Sequence, residues 1–355
     1  MRVLSSEENG FPSPEAWDDL VAASPHGHLL QSWAWGDLKG RFGWQPVRLA
    51  VSDGGRLLAG AQVLLRRLPY RCLAYVPRGP VLHPEDEHAN RLLLAALHDA
   101  ARSHRALALK VEPATPHDPE AARWWQAQGF AGGARAIQPR STIVVDLRPS
   151  EEAILAQMNP KSRYAIRTAL RREVTVRRGG TADVPVFIDL LRETSRRQGF
   201  QVHTPEYYEA AYRLFEPAGR VALLLAYYQD EPLAGLMALA FGPQAIYMFG
   251  ASSERERARN PNHLLQWEAM RWAKARGCAG YDLWGISDGE PSAPGADLKG
   301  VTHFKAGFGG AQATSAGAFD YAYSPLVYRA FNWAWQRRSQ RANNKGKGSL
   351  EQQGQ

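Results

Sequence analysis

The sequence predicts an α+β chain built from two copies of one mixed-sheet unit, and three observations predict it. The chain has 355 residues, which is room for two domains of ordinary size. Two stretches, "RLLAGAQVLLRRLPYRCLAYVPRGPVL" (56–82) and "EPLAGLMALAFGPQAIYMFGASS" (231–253), align on a shared Leu-Ala-Gly, and each reads as strand, turn, strand. Around each of them runs the same order: strand, strand, strand, helix, strand.

The elements of the first copy follow in turn. "SPEAWDDLVAA" (13–23) reads as a helix, with Ser13 as cap and Pro14 in the first turn. "PVRLAVSDG" (46–54) is a strand ending in hairpin residues, and it leads into the strand pair of 56–82. "NRLLLAALHDAARSHR" (90–105) has the spacing of an amphipathic helix and "ALALKVEP" (106–113) that of a buried strand. In the second copy the helix "VPVFIDLLRETSRRQG" (184–199) and the strand "RVALLLAYYQD" (220–230) precede the strand pair. The helix "NHLLQWEAMRWAKARG" (262–277) and the strand "AGYDLWGI" (279–286) follow it. A glycine-aromatic segment closes each copy, "WWQAQGF" (124–130) and "HFKAGFGG" (303–310). "IQPRSTIVVDLRPS" (137–150) reads as a strand whose final Pro-Ser marks a boundary near 149. "AGAFDYAYS" and "PLVYRAFNWAWQRRSQ" (316–340) fit a strand and a closing helix that return to the first copy. The expected organisation is 1–149 completed by 316–338, then 150–315, then a basic disordered tail over 339–355.

Composition is that of a globular protein, with 32 Gly, 23 Pro and 22% charged residues, which excludes fibrous and disordered classes. The start of the chain lacks the apolar core of a secretory signal, and no apolar run approaches the roughly 18 residues of a membrane span. Cys72 and Cys278 match no metal spacing and suit a reducing cytoplasm; the ten His form no H-E-x-x-H pattern, so no metal is expected. The net charge of +8 is unevenly distributed. Residues 158–178 carry +6 and 337–347 carry +5, leaving the rest at −3. Two basic patches on a slightly acidic body point to a polyanion: RNA, an anionic membrane surface or a pyrophosphate. A solvated helix face and a disordered tail would carry the same charges.

A doubled mixed sheet of this order suggests tandem acyltransferase-like (GNAT-type) domains. A CoA-dependent domain of that type needs a glycine-rich turn whose bare N–H groups hold a pyrophosphate at a helix start. The equivalent stretches here, "PEDEHANRLLL" and "RERARNPNHLLQW", are not glycine-rich, and Pro261 removes a donor from the second. CoA is therefore not expected as donor.

The segment from "IYMFGASS" through "YDLWGI" to "GVTHFKAGFGG", with "QSWAWGDLKGRFGW" (31–44), "IQPRSTIVVDL" (137–147) and "MNPKSRYAIRTALRR" (158–172), resembles the Fem (FemABX) family of non-ribosomal peptidyltransferases over nearly the whole chain. The resemblance implies two fused acyltransferase-type domains and transfer of an amino acid from aminoacyl-tRNA to the stem peptide of a peptidoglycan precursor, UDP- or lipid-linked, building the interpeptide bridge. It implies aminoacyl-tRNA as co-substrate with no cofactor, a monomer, and a cytoplasmic location with peripheral contact at the inner membrane surface. Some members carry a coiled-coil arm after the basic helix; here "EVTVRRGGTADVP" follows directly, so no long arm is expected.

Acyl transfer from an ester to an amine needs a deprotonated amine, a group to stabilise the oxyanion and a proton route to the leaving hydroxyl. On residue type alone, Lys305 reads as a surface lysine beside a glycine turn. The family's lysine–phenylalanine pair matches Lys305 and Phe304, which implies an ammonium at the oxyanion and an aromatic ring that orients the cation or the acceptor. Glu112, at a strand end where the family often has a carboxylate, would orient or deprotonate the amine; a solvated end group is the plainer reading. Lys39 in "WGDLK" matches a family lysine that resembles a phosphate contact, against a plain solvent-facing helix position. His203, Thr204, Tyr207, Tyr208 and Tyr247 are candidate acceptor contacts, with strand-end packing as the alternative for the tyrosines. Before "EYY" the chain has "QVHTP" where some members have an arginine, which leaves the headgroup open. Trp33, Trp35, Trp267 and Trp284 are assigned to the core. Arg163, Arg167 and Arg171 recur at fourfold spacing on one helix face and would meet tRNA or anionic lipid. Two other readings compete: an aminoacyl-tRNA-dependent ligase acting on a non-cell-wall peptide or protein, and a non-catalytic RNA- or lipid-binding tandem fold.

Overall fold

A computed structural model describes residues 1–133, 135–199, 201–287, 298–334 and 337. The described residues divide into two compact units, 1–140 with the described part of 314–336, and 141–313 with Arg337.

In the first unit the strands are β1 (Arg2–Ser5), β2 (Trp44–Asp53), β3 (Arg56–Leu68), β4 (Arg71–Pro77), β5 (Ala106–Glu112) and β6 (Ala131–Gly132). Its helices are α1 (Pro14–Ala23), α2 (Trp33–Arg41), α3 (Glu87–Ser103) and α4 (Pro119–Ala127). All four begin at a Ser or Asp whose side chain accepts a backbone N–H of the first turn: Ser13, Ser32, Asp86 and Asp118. The sequence reading located the first of these starts, Ser13, and began α3 at Asn90, inside the observed helix.

In the second unit the strands are β7 (Ser141–Asp146), β8 (Val174–Gly179), β9 (Val221–Tyr228), β10 (Glu231–Phe241), β11 (Gln244–Ser252), β12 (Gly280–Asp282) and β13 (Ala311–Thr314). The helices are α5 (Glu151–Gln157), α6 (Pro160–Arg171), α7 (Val184–Gln198), α8 (Pro205–Phe215), α9 (Pro261–Ala275) and α10 (Leu298–Ala306). The chain then supplies β14 (Phe319–Ala322) and a last helix, α11 (325–334).

The two sheets repeat one plan. In the first, β1 to β4 are antiparallel neighbours, β4 and β5 are parallel, and β14 enters antiparallel to β5. In the second, β8 to β11 are antiparallel neighbours, β11 and β12 are parallel, and β7 enters antiparallel to β12. The antiparallel partner beyond the parallel pair thus comes from different places in the chain. In the second sheet it precedes the repeat; in the first it follows everything else.

The strand at 141–146 corrects the expected boundary near 149. It pairs Val145 with Tyr281 and Asp146 with Gly280, so the second unit begins before it. A strand's own residues carry its alternation, not the identity of the sheet it joins. Pro261 is also better placed than the sequence reading had it: it is the first residue of α9, where its missing N–H costs nothing. The basic tail expected over 339–355 lies outside the described residues.

Each unit buries its own core. In the first, Val47, Leu49, Val63 and Val76 of the sheet meet Leu93 and Leu97 of α3. In the second, Leu224, Leu236 and Ala238 meet Leu264, Leu265 and Met270 of α9. The opposite face of the second sheet is covered by α7, whose Phe187 sits where a side chain on Gly235 would be, 2.8 Å from an added Cβ.

A buried lysine at the end of a helix

Lys305 stands in the last turn of α10 and is 6% exposed, so it is not a loop lysine. The glycines after it serve the chain's exit. Gly309 and Gly310 have φ of +77° and +87°, and a Cβ on Gly310 would come within 2.5 Å of the Val144 carbonyl oxygen. The backbone therefore turns tightly against β7 and starts β13. At the same point Asn159, the cap of α6, donates its N–H to the Gly307 carbonyl at 3.0 Å.

The Lys305 ammonium donates to two carbonyl oxygens, Gly285 at 2.7 Å and Trp284 at 3.2 Å. Those carbonyls are aimed by Asp282, whose carboxylate accepts the Trp284 N–H at 2.6 Å and the Thr142 hydroxyl. Trp284 has φ of +61°, a left-handed conformation that disfavours any side chain but glycine by about 1–2 kcal/mol. The Asp282 bond to its N–H is the local compensation. Burial lowers the Lys305 pKa from 10.5 to about 8, and the Asp282 charge opposes that shift. The site is thus a cation in a dry setting, poised to change charge near neutral pH.

The Tyr247 ring faces the ammonium, with its centroid 5.7 Å from Nζ. Burial raises the Tyr247 pKa to about 12, so the phenol stays protonated. Gln266, itself buried, accepts from the Tyr281 hydroxyl at 2.9 Å and bonds Tyr247 as well. A bulge in β11 sets this arrangement: Met237 pairs with Phe249 but Ala238 with Tyr247. Residues two apart on a regular strand share a face. With the extra residue, Tyr247 joins the core under α9 while Phe249 meets Tyr207 and Tyr208 of α8 at 6.2 and 5.1 Å.

Phe304 lies elsewhere than expected. Its ring is edge-on to His263 at 5.0 Å and to Phe308 at 5.0 Å, packed against the core, and it is Tyr247 that faces the cation. Trp284, assigned to the core from sequence, is half-buried, and its carbonyl belongs to the lysine site. Sequence reasoning missed Asp282, Thr142, Gly285 and Gln266. The one available signal was an acid two residues before "WG" at a strand end.

His203, Thr204, Tyr207 and Tyr208 cluster at the start of α8, so the two tyrosines stand on a helix rather than at strand ends. Tyr207 and Tyr208 are buried, and burial raises both phenols. His203 is exposed and stacks on Tyr207 with centroids 3.9 Å apart, and its N–H donates to the Tyr208 hydroxyl at 3.2 Å. Thr204 is exposed at the capping position.

On α6 the three arginines divide. Arg163 is half-buried and donates to the carbonyls of Ala156, at 3.1 Å, and Met158, closing the end of α5. Arg167 and Arg171 are exposed and share a face with Lys161 and Tyr164, which is 63% exposed. The Arg171 guanidinium lies 5.7 Å from the Tyr164 ring centroid.

In the first unit, Lys39 is half-buried in the last turn of α2, 5.5 Å from the Trp35 ring centroid, and not on a solvent face. Burial, then the Arg66 charge, lowers its pKa to about 8. Arg66 itself is exposed and donates to the Phe42 carbonyl at 2.9 Å. Glu112 is 3% exposed and accepts from the Tyr75 hydroxyl at 2.7 Å, from Gln138 N–H at 3.0 Å and from Ile137 N–H. It is a buried tie between β4, β5 and the 137–138 segment, not a solvated strand end.

The geometry agrees with comparison to known proteins. Residues 13–123 match the FemAB family model, and 159–305 match that of an acetyltransferase (GNAT) domain. The Lipid II:glycine glycyltransferase of Staphylococcus saprophyticus is 26% identical over 89% of this chain and 93% of its own. That of Staphylococcus aureus is 25% identical over 88% and 92%. Among solved structures, FemX superposes with a TM-score of 0.84 at 24% identity, covering 93% of this chain and 99% of that one. A tandem GNAT protein from the clavulanic acid biosynthesis pathway gives a TM-score of 0.55 at 16% identity, covering 90% and 98%. The fold is a tandem of GNAT-like domains with mixed sheets.

Proposed function

We propose, from its similarity to the FemAB family model and to the Lipid II:glycine glycyltransferases, that the chain transfers an amino acid from aminoacyl-tRNA to the stem peptide of a peptidoglycan precursor, forming the interpeptide bridge. The observation that carries the reading is the buried Lys305 ammonium, held by two carbonyls beneath the Tyr247 ring. Its similarity to the Lipid II:glycine glycyltransferases supports a lipid-linked acceptor.

In this reading the stem-peptide amine, as the free base, attacks the ester carbonyl carbon of the aminoacyl-tRNA. A C–N bond forms and the carbonyl becomes an oxyanion. Lys305 stabilises that oxyanion with a charge that water does not screen. The C–O bond to the terminal ribose then breaks, and the proton lost by the amine goes to the leaving ribose hydroxyl. The ester is already activated, so no covalent enzyme intermediate is required.

Within the first unit Lys39, beside the Arg66 charge, is a candidate phosphate contact; within the second the His203–Tyr207 stack is a candidate peptide contact. Arg167, Arg171 and Lys161 would meet the tRNA backbone. In this reading the donor is not CoA, which is supported in the first unit by Asp86, whose carboxylate occupies the start of α3 and accepts the Ala89 N–H at 2.9 Å. Among the described residues no helix is long and apolar enough to cross a membrane.

The test is reconstitution with pooled charged tRNAs and both UDP-linked and lipid-linked muramyl peptides, read by product mass. Addition of an amino-acid residue to the acceptor is expected, and Lys305→Ala should lower the rate by about 10²–10³. Undiminished transfer by that variant, or acetyl transfer from acetyl-CoA in its place, would overturn the proposal.

A further inference from the structure

Helix α6 begins against the end of the helix that carries Lys305. Its cap, Asn159, bonds the Gly307 carbonyl at 3.0 Å, and the Ser162 hydroxyl oxygen of its first turn would lie 2.5 Å from a Cβ on Gly307. From that junction it runs for 12 residues, about 18 Å at 1.5 Å per residue. One face is buried through Ser162, Ala165, Ile166 and Ala169. The other presents Tyr164, which is 63% exposed, with Lys161 and Arg167 one turn to either side and Arg171 two turns on. At 3.6 residues per turn these three bases stand within about 60° of the tyrosine.

An exposed tyrosine by itself is ordinary. This one is the centre of a stripe of cations, and one of them is set beside its ring. The Arg171 guanidinium donates to the Thr168 hydroxyl at 3.2 Å, which holds it along the helix, 5.7 Å from the Tyr164 centroid. An aromatic face within a row of cations suits single-stranded RNA: the backbone follows the charges and an unstacked base lies on the ring. A paired stem would use the cations and leave the ring in water, since its bases are already stacked on one another. A bilayer would need the apolar residues together, and the other large exposed apolar residue of α6, Leu170, stands about 120° round the helix from Tyr164.

We infer that Tyr164 is a stacking platform for an unpaired base in the 3′ terminus of the donor tRNA, with Lys161, Arg167 and Arg171 on the flanking phosphates. The inference rests on the aminoacyl-tRNA reading for the identity of the RNA. Position favours the terminus over the rest of the molecule. The terminal ribose carries the ester that Lys305 would meet, and Tyr164 stands only about 7.5 Å along the helix from the cap that touches the end of the Lys305 helix. The unpaired nucleotides next to that ribose are the ones that would pass along α6.

The test is equilibrium binding of the full chain to a fluorescent acceptor-stem RNA hairpin with an unpaired 3′ end, against the same hairpin cut back to a blunt end. The unpaired end should bind more tightly. Tyr164→Ala should weaken that binding about tenfold and leave the blunt hairpin nearly unaffected, because one stacked base is lost. Tyr164→Phe should retain it, which separates loss of the ring from a folding defect. Stacking involves no counterion release, so Tyr164→Ala should keep the salt slope that Arg167→Ala lowers. Equal affinity of wild type for the two hairpins would overturn the inference, as would an undiminished affinity in the alanine variant or equal losses on both hairpins. So would an alanine variant that stops sedimenting with phosphatidylglycerol vesicles yet keeps its affinity for the unpaired end. Neither ester nor acceptor is present in this assay, so its failure is distinct from failure of the transfer reading. In a transfer assay the alanine variant should raise KM for charged tRNA more than it lowers kcat.

Discussion

The Lys305 ammonium lies 2.7 Å from the carbonyl oxygen of Gly285, in a pocket dry enough to bring its pKa to about 8. A lysine so placed has two consequences of opposite sign. Its catalytic charge is lost as pH rises through about 8. The folded state, which disfavours that charge, is relieved over the same window.

The pH dependence follows. Turnover should fall above about pH 8 as Lys305 is deprotonated. Stability should not fall with it. Between about 8 and the ordinary 10.5 the unfolded chain binds more protons at this residue than the folded one, so Lys305 makes unfolding less favourable as pH rises. Rate profiles and chemical denaturation of wild type and Lys305→Met check both signs; a falling rate limb that persists in the variant assigns it to another group.

Asp282 acts through its neighbours. Its charge supports the lysine's, and its bond to the Trp284 N–H holds the turn that presents the two carbonyls. Asp282→Asn should move the falling limb of the rate profile to lower pH as well as reduce the rate. Thr142→Val should reduce the rate less and leave the limb nearly in place. A limb unmoved by Asp282→Asn would show that the carboxylate only builds the turn.

The arginines of α6 should separate by assay. Arg163→Ala removes the donor to the Ala156 and Met158 carbonyls and should cost about 1–3 kcal/mol of stability. Arg167→Ala and Arg171→Ala should leave stability nearly unchanged and lower the salt slope of tRNA binding by about one each. Thermal denaturation and a salt titration distinguish the two groups.

Glu112→Gln replaces an acceptor oxygen by an NH2 group where three donors converge. A stability loss of about 1–3 kcal/mol is expected, measured by urea unfolding. If the variant unfolds like wild type yet loses turnover, Glu112 acts on the amine after all.

The repeated order of strands and helices was legible because alternation, helical spacing and caps are local. Ser13 and the shared Leu-Ala-Gly announce themselves to any reader of the chain. Lys305 was legible only through its motif, and the surface lysine suggested by residue type was the opposite of what burial shows. Asp282 was out of reach: its hydroxyl partner Thr142 is 140 residues away, and Trp284, which it positions, is 21 residues from the lysine. The place of Tyr247 beside the lysine was hidden for a similar reason, because a bulge of one residue in β11 re-aims a side chain without altering any composition signal.

By itself the sequence determined that this protein would have two alike mixed sheets with helices starting where Ser, Asp, Asn and Pro allow. Tertiary structure alone decided that 141–146 joins the second sheet, and that a lysine near a run of glycines is enclosed by carbonyls. The division is physical: a backbone conformation depends on a few adjacent residues, whereas strand partners and the removal of a charge from water depend on chain segments brought from far away.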